Sequence, residues 1–144
     1  MKTLFDTSTL VQALMRPLKH HARARSWLDR GIGGEFDWVV ASHTLAELYS
    51  VLTTLPVSPR IAPAEVRRMI EENIERHATI MPLSARDYAD VIRQLSEAGM
   101  SGGIIYDALV CHVARKAGVK RLLTLNVDHF QRVWPDGGAI IQAP

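Results

Sequence analysis

Short apolar runs alternate along this chain with longer stretches in which apolar residues return every three or four positions. Thr3-Leu4-Phe5, Trp38-Val39-Val40-Ala41, Thr79-Ile80-Met81, Arg121-Leu122-Leu123-Thr124 and Ala139-Ile140-Ile141 have the length and branching of buried strands. The intervals read as helices. Ser8 is placed to cap one carrying Leu10, Val11 and Leu14 as far as Pro17. The segment from His20 to Arg30 predicts a second, with Ala22, Trp27 and Leu28 inward and Gly31 and Gly33-Gly34 closing it. Ser42 heads a third, whose Leu45, Leu48, Val51, Leu52 and Leu55 keep helical spacing until Pro56. Pro63 opens a fourth, with Val66, Met69, Ile70 and Ile74 inward. Ser84 and Asp87 form a capping-box pair for a helix ending at Gly99, and Ile104 to Ala117 is a strongly apolar helix stopped by Gly118. A turn and short helix span Asn126 to Val133. Strands alternating with helices predict an α/β fold with a parallel sheet covered on both faces.

Length and composition narrow the picture. The 144 residues, 47% of them hydrophobic, suit one domain over positions 1–144, and no repeat or linker divides them. Seventeen basic against fifteen acidic residues is too even a balance for binding polyanions by bulk charge, so any nucleic-acid contact must be local. A single cysteine, Cys111, excludes an internal disulfide and multi-thiolate zinc, which fits a cytoplasmic location. The N-terminus reaches Asp6 too soon for a secretory leader, and no apolar stretch approaches the roughly 20 residues of a membrane span.

Three carboxylates sit where carboxylates are expensive. Asp6, Glu47 and Asp107 are each the only charge within an apolar run that contains no Lys or Arg. Taken singly, Asp6 could cap a helix, Glu47 could reach solvent, and Asp107 could favour a helix N-terminus. Together they fall near the carboxyl ends of the predicted strands, where open α/β sheets gather their ligands. Asn126 and Asp128 follow the fourth strand and form a further candidate group. An all-oxygen set of this kind suits Mg²⁺ or Mn²⁺ and not zinc.

The run Leu4-Phe5-Asp6-Thr7-Ser8, then Ala46-Glu47-Leu48, then Tyr106-Asp107-Ala108-Leu109, then Leu123-Thr124-Leu125-Asn126 with Phe130, resembles the PIN domain, especially VapC-type toxins of toxin–antitoxin pairs. The resemblance spans nearly the whole chain. It implies a three-layer α/β/α fold on a five-stranded parallel sheet, Mg²⁺- or Mn²⁺-dependent cleavage of RNA, a homodimer, and a small antitoxin that blocks the site. It assigns metal-site roles to Asp6, Glu47 and Asp107, and to Thr124 a hydroxyl that orients the last group, with Ser8 supporting. Where the family often has an acid, this chain has Asn126, and Asp128 is the residue available to compensate. Such a site would lower the pKa of a water and leave 5′-phosphate and 3′-hydroxyl ends.

Other residues carry weaker signals. Lys19, Arg23 and Arg25 lie in the densest basic cluster, a candidate grip on RNA or an ordinary solvated helix face. His43 precedes Glu47 by one helical turn, as a metal pair or a hydrogen-bonding residue. Cys111 reads as a small core hydrophobe. The stripe from Val66 to Ile74 belongs either to the core or to a partner surface. Among other functions, an aspartyl-phosphate phosphatase needs an acid where Ser8 stands, and a metal-free ribonuclease needs two converging histidines, whereas His20 and His21 diverge as helix neighbours. A catalytically silent PIN-like module that binds RNA or protein is the alternative from a different class.

Overall fold

A computed structural model describes residues 1–144. Its strands are β1 (Thr3–Phe5), β2 (Trp38–Ala41), β3 (Thr79–Met81), β4 (Arg121–Leu123) and β5 (Ile141–Gln142). Between them run α1 (Thr7–Leu14), α2 (His21–Ile32), α3 (Ser42–Thr54), α4 (Pro63–Ile70), α5 (Ala85–Glu97), α6 (Ile104–Ala117) and α7 (Val127–Val133). All four strand pairings are parallel, in the order β3-β2-β1-β4-β5. The predicted five-stranded parallel sheet, in a three-layer α/β/α arrangement, is thus the observed one.

The pleat explains why both faces are covered. Alternate residues of each strand point to opposite sides. Phe5, Trp38, Val40 and Leu123 therefore enter a core with Leu10, Leu28, Leu48, Leu52, Val66 and Ile74 from α1 to α4 and the turn that extends α4. Leu4, Val39, Ala41 and Leu122 enter a second core with Val110, Val113, Ala114 and Phe130 from α6 and α7. Neighbouring positions belong to different cores, so these strands read as unbroken apolar runs.

Local signals account for most element ends. Ser84 and Asp87 form the capping box, Pro63 is the first residue of α4, and Gly118 adopts the left-handed conformation (φ 66°) that ends α6. Other expectations need correction. Ser8 and Ser42 lie inside their helices instead of capping them, because Asp6 and Ala41 already occupy the extended entry positions. Gly31 is buried within α2, where a Cβ would meet the Trp38 ring at 3.1 Å, and the helix runs on to Ile32. Ala24, not Ala22, faces inward on that helix. Val51 is partly exposed, and after Ile70 the fourth helix widens into a π-helical turn over Glu71–Glu75 that buries Ile74. No helix is long and apolar enough to cross a membrane.

The chain reverses direction across the sheet between β1 and β4. From β1 it steps outward through β2 to β3, then returns to pair β4 on the other side of β1. Loops leaving the carboxyl ends of β1 and β4 must diverge there, opening the crevice that such sheets use for ligands.

Candidate active site

Asp6 directly follows β1, and Thr124 directly follows β4. The two strands are paired in register, Phe5 opposite Leu123, so both side chains arrive at one point. Thr124 Oγ1 and Ser8 Oγ each donate a 2.9 Å hydrogen bond to Asp6 Oδ2. The hydroxyls are tied in turn: Leu125 N donates to Ser8 Oγ and Asn126 N to Thr124 Oγ1, both at 3.0 Å. Thr9 Oγ1 adds a 2.9 Å bond to the Leu123 carbonyl beneath them. The Thr124 hydroxyl thus serves Asp6 as well as the Asn126 backbone.

Glu47, one turn into α3, and Asp107, in the first turn of α6, join Asp6 around a single cleft of about 360 Å³. Thr7, Ser8, Val11, Gln12, Val51, Leu125 and Asn126 complete its wall, and no Lys or Arg lines it. Burial drives the Asp6 pKa above its ordinary value, against the hydroxyl bonds from Ser8 and Thr124 that favour the charged form. Asp107 is pushed up to about 6, first by burial and then by the negative charge of Asp6, with His129 opposing and Glu47 adding to the rise. The acids therefore repel one another across a space that no Lys or Arg lines, with His129 at the rim the one group opposing the rise at Asp107. That donor set fits a hard divalent cation. The carboxylates ring the cleft without closing into a cage, since no three His, Cys, Asp or Glu side chains converge tightly enough to hold one ion alone. Asp6, Glu47 and Asp107 would hold such an ion together with water, as suits Mg²⁺.

The remaining candidates are distributed unevenly. Asn126 lines the cleft from the start of α7. Asp128 lies outside it, in a neighbouring surface hollow with Asn126 and His129. Lys19 and Arg23 border a separate hollow with His20 and Ala22, while Arg25 is paired with Asp29 at 3.0 Å. His43 lies outside the cleft wall, with its Nε2 3.3 Å from Glu47 Oε1. Cys111 is buried, and burial pushes its thiol up to about 12, leaving it a core hydrophobe.

Two neighbours of the acids were not anticipated. Gln12 reaches the cleft from α1 while its Oε1 accepts from His20 N at 2.9 Å. It too stands alone among apolar residues, in Leu10-Val11-Gln12-Ala13-Leu14, a pattern that marks a polar residue as well as a charged one. His129 Nδ1 lies 3.8 Å from Asp107 Oδ2 at the outer rim, and nothing in its local sequence marks it.

The sequence pattern of the PIN domain matches residues 3–134. The chain is 35% identical over 131 residues to ribonuclease VapC40 of Mycobacterium tuberculosis, covering 89% of this chain and 91% of that protein. It is 36% identical over 109 residues to ribonuclease VapC27 of the same organism, covering 76% and 74%. Among solved structures, VapBC2 from Rickettsia felis, bound to a DNA fragment from its promoter, superposes with a TM-score of 0.68 at 18% identity, covering 100% of this chain and 99% of that one.

Proposed function

Because this chain belongs to the PIN-domain family, we propose that it is a metal-dependent endoribonuclease and the toxin of a toxin–antitoxin pair. Residues 1–144 act as one catalytic unit in this reading. The observation that carries it is the meeting of Asp6, Glu47 and Asp107, from three separate elements, in one cleft that no Lys or Arg lines, at the point where the sheet's connections diverge.

Asp6, Glu47 and Asp107 would hold Mg²⁺ or Mn²⁺, with the Asn126 amide completing the rim. When bound, the ion supplies positive charge that lowers the pKa of an attacking water and offsets charge building up on the phosphate. Ser8 and Thr124 fix one oxygen of Asp6, so its carboxylate cannot swing away as the cleft fills. Val11, Val51 and Leu125 form the apolar part of the cleft wall. Water is the nucleophile, so RNA is distinguished from DNA by binding and the products carry 5′-phosphate and 3′-hydroxyl ends.

VapC27 and VapC40 are named as ribonucleases, which supports RNA as substrate. The VapBC2 likeness supports a small antitoxin as partner. A homodimer is consistent with the exposed apolar Tyr88 and Ile92, one turn apart on α5, and Tyr106 at the head of α6. The test is incubation of total RNA with the purified protein and Mn²⁺, followed by mapping of the cut ends. Cleavage that needs Mn²⁺, stops in EDTA and disappears in Asp6→Asn is expected; full cleavage in EDTA refutes the proposal.

A further inference from the structure

We infer that His43 is a positioning residue for Glu47, holding that carboxylate toward the cleft from outside it; the inference rests on the metal-site reading above. His43 lies in the first turn of α3, one turn before Glu47, which places both on the same side of the helix. Its Nε2 is fully enclosed and has no aligned hydrogen bond in the fold. The group it faces is Glu47 Oε1, 3.3 Å away. A buried ring nitrogen without a partner is costly, and here Glu47 is the acceptor at hand to relieve it. Carried as the Nε2–H tautomer, the ring would present its N–H to that carboxylate, and a small turn of either side chain would align the two.

The three acids differ in how they are held. Asp6 is pinned by two hydroxyls. Glu47 has a longer, freer side chain that is 36% exposed, and no hydroxyl or backbone N–H restrains it. Without a neighbour to fix it, Glu47 must lose its rotamer freedom at the moment a cation arrives. His43 removes part of that cost in advance. Its absence from the cleft wall separates it from the ligands themselves. Partners that hold a ligand from behind typically matter 10- to 100-fold in metal affinity.

The test is calorimetric titration of the full chain with Mn²⁺, without RNA, alongside the melting temperature in EDTA. His43→Leu should bind Mn²⁺ about 10- to 100-fold more weakly than the parent while melting at the same temperature without metal. His43→Gln, which restores an N–H of similar reach, should recover most of the affinity. In a Glu47→Gln background, His43→Leu should cause no further loss, because its effect passes through the carboxylate. Affinity of His43→Leu within twofold of the parent, or an equal loss in the Glu47→Gln background, overturns the inference and leaves the metal site standing. A parent protein that takes up no Mn²⁺ at all overturns both.

Discussion

Thr124 and Asp6, 118 positions apart in the chain, are joined by a 2.9 Å hydrogen bond from the Thr124 hydroxyl to Asp6 Oδ2. The bond exists because β1 and β4 pair in register and each ends one residue before its member of the couple. Thr124→Val should therefore push the Asp6 pKa still higher and cost about 1.5–3 kcal/mol of stability at pH 8, the usual worth of a hydrogen bond to a charged group. Chemical denaturation of the variant at pH 8 and pH 4 checks this, with the smaller effect at pH 4, where Asp6 is closer to neutral.

Asp107 makes the opposite kind of prediction. Its pKa of about 6 in the fold lies above the ordinary 3.8, so the folded state holds the proton more tightly than the unfolded chain. The resulting destabilisation is absent below pH 4, grows as pH rises through 6, and is complete above it. Asp107→Asn should accordingly stabilise the metal-free protein at pH 8 and not at pH 3.5. Allowing for solvent reaching the side chain, the gain is about 1–2 kcal/mol. That corresponds to a rise of about 2–8 °C in melting temperature. The same variant should lose cleavage by at least about a thousandfold. An Asn variant that melts no higher than the parent at pH 8 counts against a carboxylate raised by burial and by the neighbouring Asp6 charge.

Protons and the cation compete for the same oxygens. Apparent Mn²⁺ affinity should be flat near pH 8 and fall about tenfold for each pH unit below 6, as one proton occupies Asp107. Titrations at pH 7.5, 6 and 5 measure that slope.

How far this site could be read from the sequence depended on whether the signal was local. The first four strands, the Ser84–Asp87 box and the Gly118 stop follow from neighbours a few residues apart, and they appear as expected, whereas the fifth strand, expected over Ala139-Ile140-Ile141, runs over Ile141–Gln142 because Ala139 and Ile140 belong to the preceding turn. The three acids were conspicuous because each interrupts an apolar run. What the chain could not announce depended on tertiary contacts. Ser8 has the composition of a cap, yet its hydroxyl is taken by Asp6. Ala22 and Ala24 alternate with arginines, so periodicity alone could not choose between them. Val51 fits an apolar stripe and instead lines the margin of the cleft. Asp128 and Asn126 are two residues apart, and only the orientation of α7 separates one from the cleft.

That separation is testable. Asp128→Ala should leave Mn²⁺ affinity and cleavage within about twofold of the parent, as surface substitutions usually do. Asn126→Asp adds a carboxylate to the wall and should tighten Mn²⁺ binding at pH 8. Equal effects from the two positions would mean that α7 sits differently against the cleft.

The basic cluster divides in the same manner. Lys19 and Arg23 have no carboxylate partner in the fold, whereas Arg25 is engaged by Asp29. If RNA runs over the α1–α2 connection, Lys19→Ala and Arg23→Ala should each reduce the slope of log affinity against log salt by about 0.7, and Arg25→Ala should reduce it by less. Binding of a short RNA to the Asp6→Asn variant over a salt series separates the three.

The account turns on a cation held between Asp6, Glu47 and Asp107. Calorimetric titration of the intact chain with Mn²⁺ at pH 7.5, repeated with Asp6→Asn and Asp107→Asn, addresses it most directly. Saturable binding by the parent and its loss in both variants is the predicted result. A parent that binds no Mn²⁺ would contradict the account and favour a catalytically silent RNA- or protein-binding module on the same fold.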